Sequence, residues 1–170
     1  MDQSKINSKG IQLRAITIED FPSVLKWSKD DRFCSANGWN INSSYEELYE
    51  WWLRYVENNS ADFVRMGIAY NGTLIGYADL VDMKEQTAEL GLAIGDSSYW
   101  GKGFGTIATK CMLAFASENN KIDQLLAETH ETNWRARAIL EKIGFREISS
   151  RGSAEYLGET SQLIQYSIVF

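Results

Sequence analysis

From Gly101 to Thr106 the chain reads Gly-Lys-Gly-Phe-Gly-Thr, and its three glycines permit chemistry that side chains would block. Without Cβ atoms, backbone N–H groups can come close to a ligand. The segment follows an alternating apolar run, Ala88 to Ile94, and precedes an amphipathic one, Phe104 to Phe115. That spacing predicts a strand turning directly into a helix. A helix N-terminus adds unpaired N–H donors and the positive end of the macrodipole. Donors and dipole together suit the oxygens of a pyrophosphate. The same glycines also serve a tight connection, and the turn alone does not separate the two readings.

A second segment of interest starts at Asn133. Ala136, Ile139, Leu140 and Ile143 fall on one helical face, and Gly144 stops the helix. Asn133 stands where an N-cap is expected, and Arg137 lies one turn further on the same face. In the strand before the glycines, alternation puts Leu90, Leu92 and Ile94 on one face and Glu89, Gly91 and Ala93 on the other. Cys34, Cys111 and the single histidine, His130, lack any metal-ligand spacing, so no metal site is expected. Cys111 reads as core filler.

The elements that must position these residues follow from periodicity and caps. Ile11, Leu13 and Ala15 alternate as a first strand. Thr17-x-x-Asp20 and Ser44-x-x-Glu47 resemble capping boxes, opening helices over about Phe21 to Lys29 and Tyr45 to Val56. Asp30 to Asn42 between them reads as a polar loop containing aromatic residues. Two strands around the Asn71-Gly72 hairpin signal, then Thr87 to Ile94, form an antiparallel meander. Beyond the glycine-led helix come a strand at Asp123 to Thr129, the Asn133 helix, and strands at Phe145 to Ser150 and Gln162 to Val169. A polar segment, Arg151 to Ser161, joins the last two. The order β-α-α-β-β-β-α-β-α-β-β implies one mixed sheet with helices on both faces, an α/β fold of the α+β mixed-sheet kind.

With 170 residues the chain fits one domain, 1–170, preceded by a polar N-terminal extension at 1–10. The net charge of -6 excludes the basic face of a nucleic-acid binder. No apolar run approaches the roughly 20 residues of a membrane span, and the N-terminus lacks a signal-peptide core. No membrane partner is expected, and the expected location is cytoplasmic.

The order of elements and two segments resemble the Gcn5-related N-acetyltransferase (GNAT) superfamily. The first segment, Ala88-Glu89-Leu90-Gly91-Leu92-Ala93-Ile94 running on to Trp100-Gly101-Lys102-Gly103-Phe104-Gly105-Thr106, resembles its acetyl-CoA motif. Trp100 takes the place of the usual Arg or Gln, as in the branch that includes ribosomal-protein N-terminal acetyltransferases. The second, Asn133 to Phe145, resembles the family helix that ends in Glu-Lys-x-Gly-Phe.

The resemblance implies an acetyl-CoA-dependent N-acetyltransferase in which an amine attacks the bound thioester directly. It places the pantetheine arm along Leu92, Ala93 and Ile94, and the pyrophosphate over the N–H groups near Lys102 to Thr106. Asn133 would meet the pantetheine and Arg137 a CoA phosphate. Glu89 would serve as the base, with Asp79 and Asp82 as weaker alternatives. Phe33, Trp39 and Tyr77 are the acceptor-site candidates, Trp39 foremost, with Trp51 and Trp52 claimed at most singly.

The family's usual acid positions hold Leu140 and Ala136, so its general acid does not transfer. His130 and Tyr156 are the remaining candidates, and the thiol, with a pKa of about 8.5, leaves as a thiolate if neither acts. The expected acceptor is a small-molecule amine or a protein N-terminal amine, and the expected state a monomer or homodimer. The alternative function is a non-catalytic acyl-CoA-binding sensor or regulatory module. A longer acyl chain depends on room near Gly91 and Ala93.

Overall fold

Seven strands form one sheet in the order β1-β2-β3-β4-β5-β7-β6 in the computed structural model, which describes residues 10–170. All but one residue of the polar N-terminal extension lie outside the described residues. The strands are β1 (Ile11–Ala15), β2 (Val64–Tyr70), β3 (Thr73–Lys84), β4 (Thr87–Ile94), β5 (Gln124–His130), β6 (Arg146–Tyr156) and β7 (Glu159–Val169). Five α-helices accompany them among the described residues: α1 (Phe21–Trp27), α2 (Asp31–Asn37), α3 (Tyr45–Val56), α4 (Phe104–Asn120) and α5 (Trp134–Ile143).

Strands β1 to β4 form an antiparallel run, with the Asn71-Gly72 hairpin between β2 and β3. Both turn residues have positive φ, as a tight hairpin requires. The β4–β5 junction is the parallel one, and it is short. Only Thr87 to Leu90 pair with Gln124 to Ala127. Beyond them β4 runs on to Ile94 and β5 to His130 without pairing to each other. A parallel connection needs a crossover, and α4 supplies it.

Strand alternation sorts the core into two clusters, one on each face. Leu90, Leu92 and Ile94 join Ala108 and Met112 of α4 and Leu140 of α5. Ala93 faces the other way, against Trp27, Phe33 and Trp52 from the first three helices. Trp100 packs against both clusters.

The Ser44 box forms in both directions. At Thr17, Asp20 accepts from the Thr17 N–H, and the box opens a short 3-10 turn, Ile18–Asp20, ahead of α1, which ends at Trp27. Asp20, drawn upward by burial, is held below the usual carboxylate range by Arg14 and the Thr17 N–H. The Asp30–Asn42 stretch departs from its loop reading, since α2 forms within it. Asp30 caps that helix by accepting from the Phe33 N–H, and its other oxygen accepts from the Ser97 N–H at 2.6 Å. Half the determinant of this helix is therefore tertiary.

The polar stretch Arg151 to Ser161 is likewise not a loop. It continues β6 and β7 as a long hairpin turning at Leu157 and Gly158, both with positive φ. Register shifts between Glu147 and Ser149, and between Ser150 and Ser153, let the two strands run on.

Gly95 marks where α1 docks. A Cβ there would lie 2.0 Å from the Trp27 indole, which is 1% exposed. Gly95→Ala is expected to destabilise the protein by about 1–3 kcal/mol through overpacking. Calorimetry should show a Tm lower by roughly 2–4 °C for each kcal/mol in a domain of this size. An unchanged Tm would contradict this docking.

Candidate active site

The gap where β4 and β5 part opens into a cavity of about 350 Å³. One wall is the end of β4, with Leu92, Ala93 and Ile94; the next is the turn, with Trp100, Gly101, Gly103, Phe104, Gly105 and Thr106. Asn133 and Ala136 of α5 face them, and Ala36 and Asn37 of α2 and Tyr156 of β6 close the far end.

The turn is built for backbone recognition. Gly101 and Gly103 have φ of +76° and +89°, values that strain any residue with a side chain. Gly103 is the N-cap of α4 and makes no side-chain cap bond. The Ile107 N–H is the first of the helix to be satisfied, by the Gly103 carbonyl. The N–H groups of Phe104, Gly105 and Thr106 are thus left for a ligand, at the positive end of a 17-residue helix. A Cβ on Gly105 would meet Ile139 Cδ1 at 2.9 Å, so this glycine also lets α5 approach.

Trp100 seals the end of β4 by donating its Nε1–H to the Ile94 carbonyl at 2.9 Å. Arg135 lies 4.5 Å and Arg32 5.1 Å from its ring centroid, a cation–π arrangement at the cavity mouth.

Most of the expected cofactor residues are brought together here. Two are not. Lys102 is exposed and lies outside the cavity wall. Arg137 turns away, donating to the Tyr166 hydroxyl and the Glu131 carbonyl, both at 3.0 Å, with Glu147 at 3.7 Å. Arg135, missed in the sequence, lines the cavity instead. The reason is local: Asn133 caps the Ala136 N–H from a non-helical conformation, and the helix starts only at Trp134. Counting one helical turn from a cap residue selects the wrong face.

The acceptor candidates also gather, but as packing. Phe33 is fully buried behind Trp39, at an edge-to-face centroid distance of 4.9 Å. Tyr77 is 8% exposed, accepts from Trp39 Nε1 at 3.4 Å and lies 4.0 Å from the Arg65 guanidinium. Neither presents a face to the cavity. Trp39 lines a separate hollow of about 360 Å³ with Trp51 and Arg54, while Trp52 is wholly in the core.

Glu89 stands half-buried on the face opposite α4 and α5, with no hydrogen bond among the described residues. Burial, then the charges of Glu128 and Asp82, raise its pKa above the ordinary value. Asp79, two pairs along the same face, is occupied: its oxygens accept from Arg65 Nε and Nη2 at 2.7 and 2.6 Å. Burial raises its pKa and the Arg65 fork opposes that rise. A carboxylate so held is a structural partner, which removes Asp79 as an alternative base.

Among the described residues no helix is long and apolar enough to cross a membrane, and no group of His, Cys, Asp and Glu could hold a metal.

Two substitutions separate the arginines. Arg135→Ala is expected to weaken CoA binding at least several-fold in calorimetric titration while leaving Tm nearly unchanged. Arg137→Ala should do the reverse, lowering Tm with CoA affinity kept. Gly103→Val should weaken binding most, about tenfold or more, because its side chain must sit at positive φ where the donors converge.

A family model described as an acetyltransferase (GNAT) domain matches residues 11–146. Over 162 residues the chain is 28% identical to a Bacillus subtilis (strain 168) protein named "Putative ribosomal N-acetyltransferase YdaF", covering 93% of this chain and 84% of that one. A solved spermidine N-acetyltransferase from Vibrio cholerae, in complex with CoA and spermine, superposes with a TM-score of 0.81 at 19% identity. The match covers 95% of this chain and 96% of that one. A GNAT-family acetyltransferase from Bacillus anthracis superposes with a TM-score of 0.80 at 16% identity, over 97% and 98%. These two structures share the fold of this chain. Since the family model spans most of the chain, the protein belongs to the GNAT family and is an N-acetyltransferase.

Proposed function

We propose that the protein transfers the acetyl group of acetyl-CoA to a primary amine by direct attack within a ternary complex. The observation that carries this reading is a path through two adjoining cavities that share Leu92, Asn133 and Ala136. It runs from the free N–H groups of α4 to the gap between β4 and β5, whose β5 wall is Ala127 to His130. Pyrophosphate oxygens suit the first end, and the amide-rich pantetheine suits the strand edge left unpaired beyond Leu90. Its thioester then lies beside Leu92, where an amine entering from the opposite face can reach the carbonyl carbon. Positioning both partners supplies much of the rate, and no covalent enzyme intermediate is needed.

A lysine-like amine is protonated at neutral pH, with a pKa of about 10.4, so a base must act before attack. Glu89 takes that role, through water where the amine stands off. Its raised pKa makes it a better proton acceptor than a solvated carboxylate. The neighbouring Asp82 and Glu128 make this face attractive to a cation. The names of the relatives point the same way, since one acts on spermidine and another is assigned to ribosomal proteins. The acceptor is a cationic small-molecule amine or a protein N-terminal amine.

Thiol release from acetyl-CoA, screened against spermidine, an aminoglycoside and a peptide with a free N-terminus, tests the reading. Release with none of them would leave a non-catalytic acyl-CoA-binding module. With an active amine, Glu89→Gln should lower kcat by about 10²–10⁴-fold with CoA affinity kept. The base works ionised, so the wild-type rate should fall as pH drops through its pKa. That acid limb should lie above the ordinary glutamate value of about 4.3 and vanish in the variant. A rate that survives alongside a lowered Tm would make Glu89 structural.

A further inference from the structure

His130 ends β5 and Tyr156 ends β6. Their rings stack, with centroids 4.8 Å apart and planes 20° from parallel. His130 lies past Ala127, the last β5 residue paired with β4, and so borders the gap. Tyr156 is 5% exposed, yet it lines the cavity that holds the glycine turn. His130 lines an adjoining cavity of about 260 Å³, and both cavities share Leu92, Asn133 and Ala136.

The Tyr156 hydroxyl makes no hydrogen bond among the described residues, and His130 Nδ1 is buried without a partner. The hydroxyl, in the cavity wall, spends its donor on no neighbouring residue and is free to donate to a ligand. Leu140 and Ala136, where relatives carry hydroxyl groups, offer only carbon beside the gap. Tyr99 and Thr106 bear hydroxyls too, but at the glycine-turn end; in the adjoining cavity Thr109 donates its hydroxyl to the Gly105 carbonyl, and the alcohol of Thr129 is a far weaker acid than a phenol. Burial holds the His130 imidazole below its ordinary pKa against the pull of Glu128, so a neutral ring stacks on the phenol.

We propose that Tyr156 is the general acid that protonates the departing CoA sulfur, and that His130 is a positioning residue that fixes its ring. This rests on the transferase reading above. The amine nitrogen bonds to the thioester carbon, and the tetrahedral intermediate collapses with cleavage of C–S, the electron pair leaving on sulfur. The phenolic proton moves from Tyr156 Oη to that sulfur and gives free thiol. The protonated amine gives up two protons. Glu89 takes the first before attack and passes it to solvent. The second, lost from the nitrogen once it is bonded to the acyl carbon, returns through solvent to the phenolate. The enzyme is thus regenerated, and each turnover releases one proton.

The test uses the full chain, an amine active in the thiol-release screen, and two acyl donors: acetyl-CoA and its selenoester analogue, whose more acidic selenol leaves without proton help. Tyr156→Phe should lower kcat with acetyl-CoA by about 10²–10⁴-fold, keep KM for acetyl-CoA within about twofold, and recover to near the wild-type rate with the selenoester. His130→Ala should lose rate several-fold, and His130→Phe, which keeps a flat ring in the stack, should restore it. An unchanged kcat in Tyr156→Phe overturns the inference. So does an equal loss with both donors, which marks a packing role. A dead His130→Phe beside an active Tyr156→Phe would move the acid to the imidazole. A wild type that releases thiol with none of the amines overturns the transferase reading itself.

Discussion

Everything at this site depends on a strand pairing that stops. β4 and β5 share four residue pairs and then diverge, although both continue for several residues. Ending a ladder inside a sheet is costly, because peptide groups there lose partners in a place that excludes water. The fold sustains the loss by covering the gap on both sides. α4 and α5 lie over one face and the first three helices over the other. Trp100 Nε1 supplies a donor to the Ile94 carbonyl that no strand reaches. The unpaired backbone is thereby concentrated where an extended, amide-bearing ligand can use it.

The helices that cover the gap are themselves fastened to the glycine turn. Lys26 of α1 pairs with Asp96 at 2.6 Å, Asp30 holds the Ser97 N–H, and Arg32 of α2 lies over Trp100. Three contacts of different kinds thus join the first two helices to the loop before α4. Single exposed ion pairs contribute little, but here the partners sit at helix ends where the chain direction is already set. α2 is placed by them with Ala36 and Asn37 at the far end of the cavity. The two ends of the ligand path are consequently organised by one set of residues.

Local chemistry in the sequence reaches far into this structure. The capping boxes at Thr17 and Ser44, the Asn71-Gly72 turn and the Gly144 stop all act within a few residues, and each reads directly. The glycine turn and its helix are equally plain. What escapes is decided at a distance. α2 buries only Phe33 and Cys34 and is capped by a residue that also binds Ser97, so its periodicity is too short to read. In the outer half of the β6–β7 hairpin, β6 is exposed at every residue from Arg151 to Glu155 and shows no alternation there. Arg135 and Arg137 are alike in type and spacing, and only the cap at Asn133 decides which one enters the cavity. Phe33 and Tyr77 stand in the right region, but the aromatic cluster turns them inward. Tyr156 and His130 meet only because the β6–β7 hairpin runs on past the end of β5, His130 pairing with Leu163 and Tyr156 with Glu159.

The register shifts in β6 carry a consequence of another kind. β6 is an outer strand of the sheet, eleven residues long and solvated almost throughout. A straight apolar border of that length is a template on which a second molecule can extend the sheet and begin to aggregate. Two interruptions of register, Gly152 at a φ of +84°, and the charges of Arg146, Glu147, Arg151 and Glu155 break that template. Bulges also sharpen the local twist, so the border curls instead of lying flat. The long hairpin can therefore carry Tyr156 back to the cavity without offering the rest of its length as an adhesive surface.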